Sequence, residues 1–478
     1  MAMAASRRRA DKGKGASNGD GMSDGPVPIG RGATTGKYLV LLRQDDLENG
    51  VQALGSALGV KVARSAEFER HAVDADALES ADALVFDNLA VAVVNAPPEQ
   101  FQALGASIAG DGPILAVEAE RVVYALAANG HSAVLEPPTL LPIAAPPLEA
   151  PAHGASLTSY LLGYQDGVNE LIERLMEQEG LKAETLAAAA ALDESQLTWG
   201  LQATNVARSS FTGRGVRVAV LDTGMDLGHP DFVGRSITSR SFITGEAVQD
   251  GHGHGTHCIG TACGPRQPGQ LPRYGVASGA DIYVGKVLSN RGSGGDSGIL
   301  AGINWAISNG CAVVSMSLGA PTEVGQAFSR IFETVARRAL AAGTLIIAAA
   351  GNESRRQQGI IAPVGHPANC PSIMAVGAVD ANGQIANFSC GGLNNQGGQV
   401  DIAGPGVAVR SSWPRPTLYR SISGTSMATP HVAGIAALFA EANPDMRGGA
   451  LGWLLLQASR RLEMPNRDVG VGLVQAPV

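Results

Sequence analysis

No stretch of the chain approaches the ~18 consecutive apolar residues that a membrane-spanning helix needs, so no span is expected. Aromatic residues are scarce at 4%, while apolar residues as a whole reach 45%. A large core is therefore affordable, but it must be built mainly from Ala, Val, Leu and Ile. Basic residues are not in excess. The net charge is -8 and no segment concentrates Lys and Arg enough to override it, which argues against nucleic acid as a partner. Arg7, Arg8 and Arg9 are not followed by the apolar segment of a secretory signal. Cys258, Cys263, Cys311, Cys370 and Cys390 are odd in number and lack metal-type spacing. Free thiols in a reducing compartment are the simplest reading, so a cytoplasmic location is expected. Export by a route that needs no signal stays open.

A length of 478 residues suits two or three domains. Residues 1–36 hold Gly, Ser, Asp and basic side chains, and are expected to be a disordered tail. Order is expected from Lys37. Tyr38 to Leu42 reads as a strand, and Asp45 or Asp46 caps a helix carrying Leu47, Val51, Leu54 and Leu58. Strands follow at Leu84 to Phe86, at Leu89 to Val94, and from Ile114 towards Tyr124, with a helix opening at Pro97-Pro98-Glu99. This β-α-β-β-α-β order fits a small α+β ferredoxin-like sandwich over 37–126, which by itself reads as a binding or folding module. Residues 127–155 form a Pro/Ala-rich linker, stiff and extended. Residues 156–194 are a helical insert, with Val168, Leu171, Ile172, Leu175 and Met176 on one face.

From 195 to 478 apolar strands alternate with helical stretches. Strands are expected at 216–221, 282–287, 312–316, 345–350 and 373–376, with helices at 298–308 and 326–342. That alternation implies an α/β fold with a doubly wound, mostly parallel sheet, whose ligands bind beyond the carboxyl ends of the strands. The conspicuous polar residues fall at such places. Asp222 follows the first strand, and His254 lies in Gly-His-Gly-His-Gly-Thr-His just before a helix expected from Cys258. Asn352 follows Ala349-Ala350-Gly351, and Ser426 starts a thin, buried helix in Gly-Thr-Ser-Met-Ala-Thr-Pro-His-Val-Ala-Gly, with Pro430 in its first turn. Singly, each has a structural explanation: a turn, a cap, or a satisfied core histidine. Together they supply what acyl transfer needs. Ser426 is the nucleophile, His254 the base, Asp222 the carboxylate that fixes its tautomer, and a donor stabilises the oxyanion. Three close histidines, His252, His254 and His257, also invite a zinc reading. No glutamate stands in a helical HExxH pattern, so no metal is expected.

The segments Val-Leu-Asp-Thr-Gly, Gly-His-Gly-Thr-His and Gly-Thr-Ser-Met-Ala-Thr-Pro-His-Val-Ala-Gly, in that order, resemble the subtilisin-like serine proteases, whose known order is Asp, His, Ser. The resemblance implies a serine endopeptidase acting on peptides and proteins. Asp222, His254 and Ser426 would be the triad, and Asn352 with the Ser426 backbone N–H the oxyanion hole. Losing such a side-chain donor costs on the order of 10²–10³ in turnover. Ser317, Leu318 and Gly319 would pair with an extended substrate. Ala349, Ala350 and Gly351, with Gly365 at the base, would wall a roomy apolar pocket, and Glu353 would lie exposed at its rim. A cis proline is expected at His366-Pro367. Cys258 matches the proteinase K and thermitase branches, where a thiol packs under the histidine. The loop 264–275 carries no carboxylate, so it is not expected to hold calcium, and Asp231 alone cannot. No cofactor is expected, although a weak calcium site elsewhere stays open.

The resemblance also makes 37–126 an inhibitory propeptide, an intramolecular partner that plugs the cleft with its C-terminal end. Leu126 would occupy the pocket, and self-cleavage is expected between Leu126 and Ala127. Two rivals stand beside this self-inhibited zymogen. One is a dedicated processing protease with few substrates; the other is a pseudoprotease that binds peptides without cutting them.

Overall fold

The computed structural model describes residues 33–95, 112–126 and 193–478. The helix expected after Pro97, the linker 127–155 and nearly all of the insert 156–194 lie outside those residues. The first module contains β1 (Thr34–Leu42), α1 (Leu47–Leu58), β2 (Val62–Arg64), α2 (Ala75–Ser80), β3 (Ala83–Phe86), β4 (Val91–Val94) and β5 (Ile114–Ala125). Their sheet runs β5-β1-β4-β3-β2, with β1 antiparallel to both neighbours and β2 parallel to β3. Strand β1 starts at Thr34, which pairs with Arg121, so order begins before Lys37. Strand β4 starts after Leu89, because Leu89-Ala90 form the turn, with Ala90 at φ 43°.

Why β1 reads as a nearly continuous apolar run becomes clear from its two faces. Successive side chains of a strand point to opposite sides. Val40 and Leu42, with Val85, Ala92 and Val94, pack against Leu54 and Leu58 of α1. Leu39 and Leu41, with Leu84, Phe86, Val91 and Val93, belong instead to a core shared with the C-terminal unit. There they join Ile299 and Ile303 of α4 and Phe332 and Val335 of α5, helices defined below. The first module completes one face with its own helix and the other with two helices of the second unit.

The C-terminal unit contains β6 (Arg217–Asp222), β7 (Ile237–Ser241), α3 (His254–Cys263), β8 (Asp281–Lys286), β9 (Ser293–Gly295) and α4 (Asp296–Ser308). These are followed by β10 (Val313–Met316), β11 (Leu318–Gly319), α5 (Arg330–Ala341), β12 (Leu345–Ala349), β13 (Met374–Val379) and β14 (Ile402–Pro405). The chain then forms the hairpin β15 (Val409–Ser412) and β16 (Tyr419–Ile422), then α6 (Thr425–Ala442) and α7 (Gly449–Ala458). Its seven-stranded sheet, β14-β13-β12-β10-β6-β8-β7, is parallel throughout. The expected strands are present. The helix expected from Gln326 starts at Arg330, because Ser329 caps it by accepting from Phe332 N. Among the described residues no helix is long and apolar enough to cross a membrane.

Helix α6 is buried along nearly its whole length, against α3 and the sheet. That is possible because Ala428, Ala433, Gly434, Ala436 and Ala437 keep it thin. A Cβ on Gly434 would stand 2.6 Å from Val276 Cβ and 2.7 Å from Ala262 O. Gly434→Val should therefore destabilise the chain by about 1–3 kcal/mol through overpacking. Denaturant unfolding of the full chain measures this.

Candidate active site

Strand β6 ends on Asp222, and α3 opens with His254 itself rather than at Cys258. Both residues are buried. The imidazole Nδ1 meets Asp222 Oδ1 at 2.8 Å and Oδ2 at 3.0 Å. The backbone that presents them is tied together by the buried Asp250 carboxylate. Asp250 accepts from Thr223 Oγ1, from the N–H groups of His252, Gly253 and Thr256, and from Thr256 Oγ1. Thr223 N in turn donates to Asp222 Oδ1 at 2.7 Å, and Gly255 N donates to Thr223 Oγ1 at 2.8 Å. Lys286, also buried, donates from Nζ to Thr223 O at 2.6 Å. Asp250 gives no signal of this role in the sequence, since an acid in a glycine-rich loop ordinarily looks solvated.

Ser426 is the second residue of α6, inside the first turn and not its cap; Gly424 is the N-cap. Its Oγ donates to Ser317 O at 3.0 Å, and His254 Nε2 is buried without a hydrogen-bond partner. Pro430 is the sixth helical residue, beyond the first turn where it was expected. Lacking an N–H, it cannot bond the Ser426 carbonyl four residues back. That carbonyl accepts instead from Ser317 Oγ at 2.8 Å and from the Cys258 thiol at 3.6 Å. Cys258 thus packs beneath the site, its sulfur 3.8 Å from His254 Nδ1, and burial raises its pKa.

Burial pulls the His254 pKa down, but the Asp222 charge and neighbouring Cys258 outweigh this and hold it well above 6.5. His257, by contrast, is pushed down to about 3 by burial and by His254, and its Nε2 is bonded to Val409 O at 3.0 Å.

The end of β5 enters this site as an extended strand. Val122, Val123 and Tyr124 pair antiparallel with β9, and Tyr124 and Ala125 with β11, so the tail lies between two edges. Ala125 N donates to Gly292 O at 2.9 Å and Leu126 N to Ser317 O at 3.3 Å. The Leu126 carbonyl accepts from Asn352 Nδ2 at 2.8 Å. Asn352 is aimed by Thr425, whose N and Oγ1 both donate to Asn352 Oδ1 at 2.9 Å. A Cβ on Gly319 would come 3.3 Å from Leu126 Cδ1, so the leucine side chain lies against that glycine. Ala349 ends β12; Ala350 and Gly351 follow it, and Gly365 N donates to Ala350 O at 2.9 Å. The β9 edge was missed from sequence. Its signal is Gly292-Ser293-Gly294-Gly295, where a Cβ on Gly294 would stand 2.2 Å from Val287 O.

Three side features differ from or refine expectation. Glu353 is exposed, as expected at the rim, and its Oε2 also accepts from the Cys390 thiol at 3.1 Å. The His366–Pro367 bond is cis. Asp231 accepts from two donors of the 264–275 loop, Gly269 N at 2.7 Å and Tyr274 Oη at 2.6 Å, and from Tyr419 Oη of β16 at 3.0 Å. Hydroxyl and amide donors already surround that carboxylate, and the loop adds no anionic ligand, so these residues do not fit a calcium ion.

An imidazole clamped by a buried carboxylate, a serine at a buried helix start and an amide donor on a bound carbonyl form the constellation of serine acyl-transfer sites. Comparison with known proteins narrows the class. The chain belongs to the subtilase family, whose profile matches residues 213–472, more than half of its length. It is 42% identical over 262 residues to subtilisin E of Bacillus subtilis (strain 168), a match covering 54% of this chain and 62% of that one. It is 40% identical over 282 residues to subtilisin Savinase of Lederbergia lenta, covering 58% of this chain and 96% of that protein. The crystal structure of a cold adapted subtilisin-like serine proteinase is similar, with a TM-score of 0.50 and 31% identity over 59% of this chain and 100% of that one.

The charge pairing around His254 has a testable sign. An imidazole whose folded pKa is raised keeps its proton as pH rises past 6.5. It contributes stability below that value that is lost as pH climbs through the folded pKa. In Asp222→Asn the main favourable charge is gone while burial still opposes the cation, so the pKa should fall from its wild-type value. Histidine titration by NMR on the full chain measures both values.

Proposed function

We propose that this chain is a serine endopeptidase made as a self-inhibited zymogen, with 37–126 as its inhibitory propeptide. The observation that carries the reading is the Leu126 carbonyl, held by Asn352 Nδ2 at 2.8 Å at the end of a strand paired on both sides. A substrate would lie along the same two edges, with backbone bonds for affinity and the Leu126 site for selection. For reaction, the Ser426 hydroxyl swings from Ser317 O to the unpartnered His254 Nε2. The imidazole takes its proton as Oγ bonds to the carbonyl carbon, and Asp222 stabilises the resulting cation. Asn352 and the Ser426 N–H stabilise the oxyanion. Collapse breaks the C–N bond, His254 protonates the departing amine, and water then hydrolyses the acyl-enzyme by the same route.

The propeptide's hold is supported by two helix starts. Glu118 accepts from Ser329 Oγ at 2.7 Å and Ile331 N at 3.2 Å at the start of α5. Glu120 accepts from Ser297 N at 2.7 Å at the start of α4. Each carboxylate meets unpaired N–H groups and the positive end of a helix dipole. A cytoplasmic site of action is supported by five buried, unpaired cysteines. No cofactor enters the chemistry proposed.

Intact-mass analysis tests self-cleavage. Wild type should yield a species beginning at Ala127, and Ser426→Ala should not; equal N-termini in both overturn it. Glu118→Ala with Glu120→Ala should bring the onset of peptidase activity forward, measured as the lag before a fluorogenic peptide is cleaved.

A further inference from the structure

Asp296 is fully buried at the first position of α4, directly after the β9 edge that pairs with the tail. Its Oδ1 meets His366 Nε2 at 3.0 Å. Its Oδ2 accepts from the Arg121 backbone N–H at 3.0 Å, and Arg121 Nη1 approaches the same oxygen at 3.6 Å. That nitrogen is buried and makes no hydrogen bond, so it faces Asp296 as a charge. The other end of the guanidinium faces Glu118 at 3.3 Å, a residue of the same tail. His366 is itself fixed. Its ring stands edge-on to Phe332 with centroids 4.6 Å apart, and its backbone exchanges hydrogen bonds with Ala320 at 2.8 and 2.9 Å.

Arg121 lies five residues before Leu126 on a single continuous strand. At ~3.3 Å per residue this fixes a distance of roughly 17 Å between the carbonyl held by Asn352 and the residue opposite Asp296. When the propeptide tail leaves, Arg121 and Glu118 leave together. Asp296 and His366 stay, since both sit on the C-terminal unit. Asp296 Oδ2, covered while the tail is in place, then loses an N–H donor and its facing cation and opens to the cleft as a bare carboxylate oxygen. A peptide threaded along the same edges restores the N–H with any residue but proline at that place. It restores the charge only if that residue is basic.

We propose that Asp296, supported by His366, is a remote subsite selecting a positively charged side chain five residues before the residue whose carbonyl is attacked. The proposal rests on the endopeptidase reading above and deepens it by naming a substrate class: chains with Arg or Lys at that place and a leucine-like residue at the cut. Glutamate there brings a second anion towards a buried one, so acidic substrates are rejected.

Three peptides carrying Val-Val-Tyr-Ala-Leu before the scissile bond, preceded by Arg, citrulline or Glu, test the proposal with enzyme matured from the full chain. Citrulline keeps the shape of arginine and removes its charge. Wild type should show kcat/KM at least about fivefold higher for Arg than for citrulline, and lower still for Glu. In Asp296→Asn the Arg-to-citrulline ratio should fall to within about twofold. A wild-type ratio near one, or a ratio unchanged by Asp296→Asn, overturns the proposal; the first comparison needs no variant. A second arm needs no catalysis. In the full-length Ser426→Ala chain, Arg121→Ala, Asp296→Asn and their combination should give Tm shifts that do not add. Additive shifts overturn the proposal even if no peptide is cleaved, whereas the absence of all cleavage with coupled Tm shifts counts against the endopeptidase reading and leaves Asp296 as the recogniser of Arg121.

Discussion

Strand β5 is the element on which both units depend. Its first two-thirds complete the N-terminal sheet by pairing with β1, and its last third fills the cleft between β9 and β11. Backbone pairing is indifferent to sequence, so the strand alone would bind any extended chain equally. What gives it direction and register is a few polar anchors. Glu118 and Glu120 sit on helix starts, Arg121 opposite Asp296, and the Leu126 carbonyl on Asn352. The helix ends that receive the acids would otherwise expose unpaired N–H groups to a partly dry interface. In the function proposed, inhibition and substrate recognition are two uses of one set of edges.

Behind the cleft, a second constraint keeps the reacting groups in place. The carbonyl of Ser426 is released from the α6 ladder by Pro430 and taken up by Ser317 Oγ and Cys258 Sγ. A proline inside a helix normally leaves an orphaned acceptor. Here the acceptor becomes a peg joining the start of α6 to α3 and to the segment before β11. The Asp250 carboxylate does the same for the turn that leads into His254. Precision in the site therefore comes from side chains that never touch the substrate.

Much of this was legible in the sequence, and the misses share a physical cause. Buried parallel strands such as 217–222 and 345–349 announce themselves as apolar runs, and Asp222, His254, Asn352 and Ser426 stand at their ends or at helix starts. Strand β2, with only Val62 and Ala63 between charged residues, has too little apolar pattern to be seen. Strand β9 is nearly all glycine and exists because of what lies beside it. Glu353 is the surface acid it looks like, but nothing in its neighbours foretells its Cys390 partner, distant in sequence. Pro430 was placed correctly on the helix, but its accommodation depends on Ser317, over a hundred residues earlier. Local pattern reveals elements; partners far apart in the chain decide how the elements are used.

The two-faced burial of the N-terminal sheet has a consequence in time. One face is covered by α1, within the same module, but the other waits for α4 and α5. Some 215 residues separate Leu126 from Ala341 at the end of α5. At the usual pace of translation, about 5–20 residues per second, the module leaves the ribosome roughly ten to forty seconds before its second face can be covered. During that interval Leu39, Leu41, Phe86 and Val91 face water, so newborn chains in a crowded polysome are at their stickiest before Ser426 has even been synthesised.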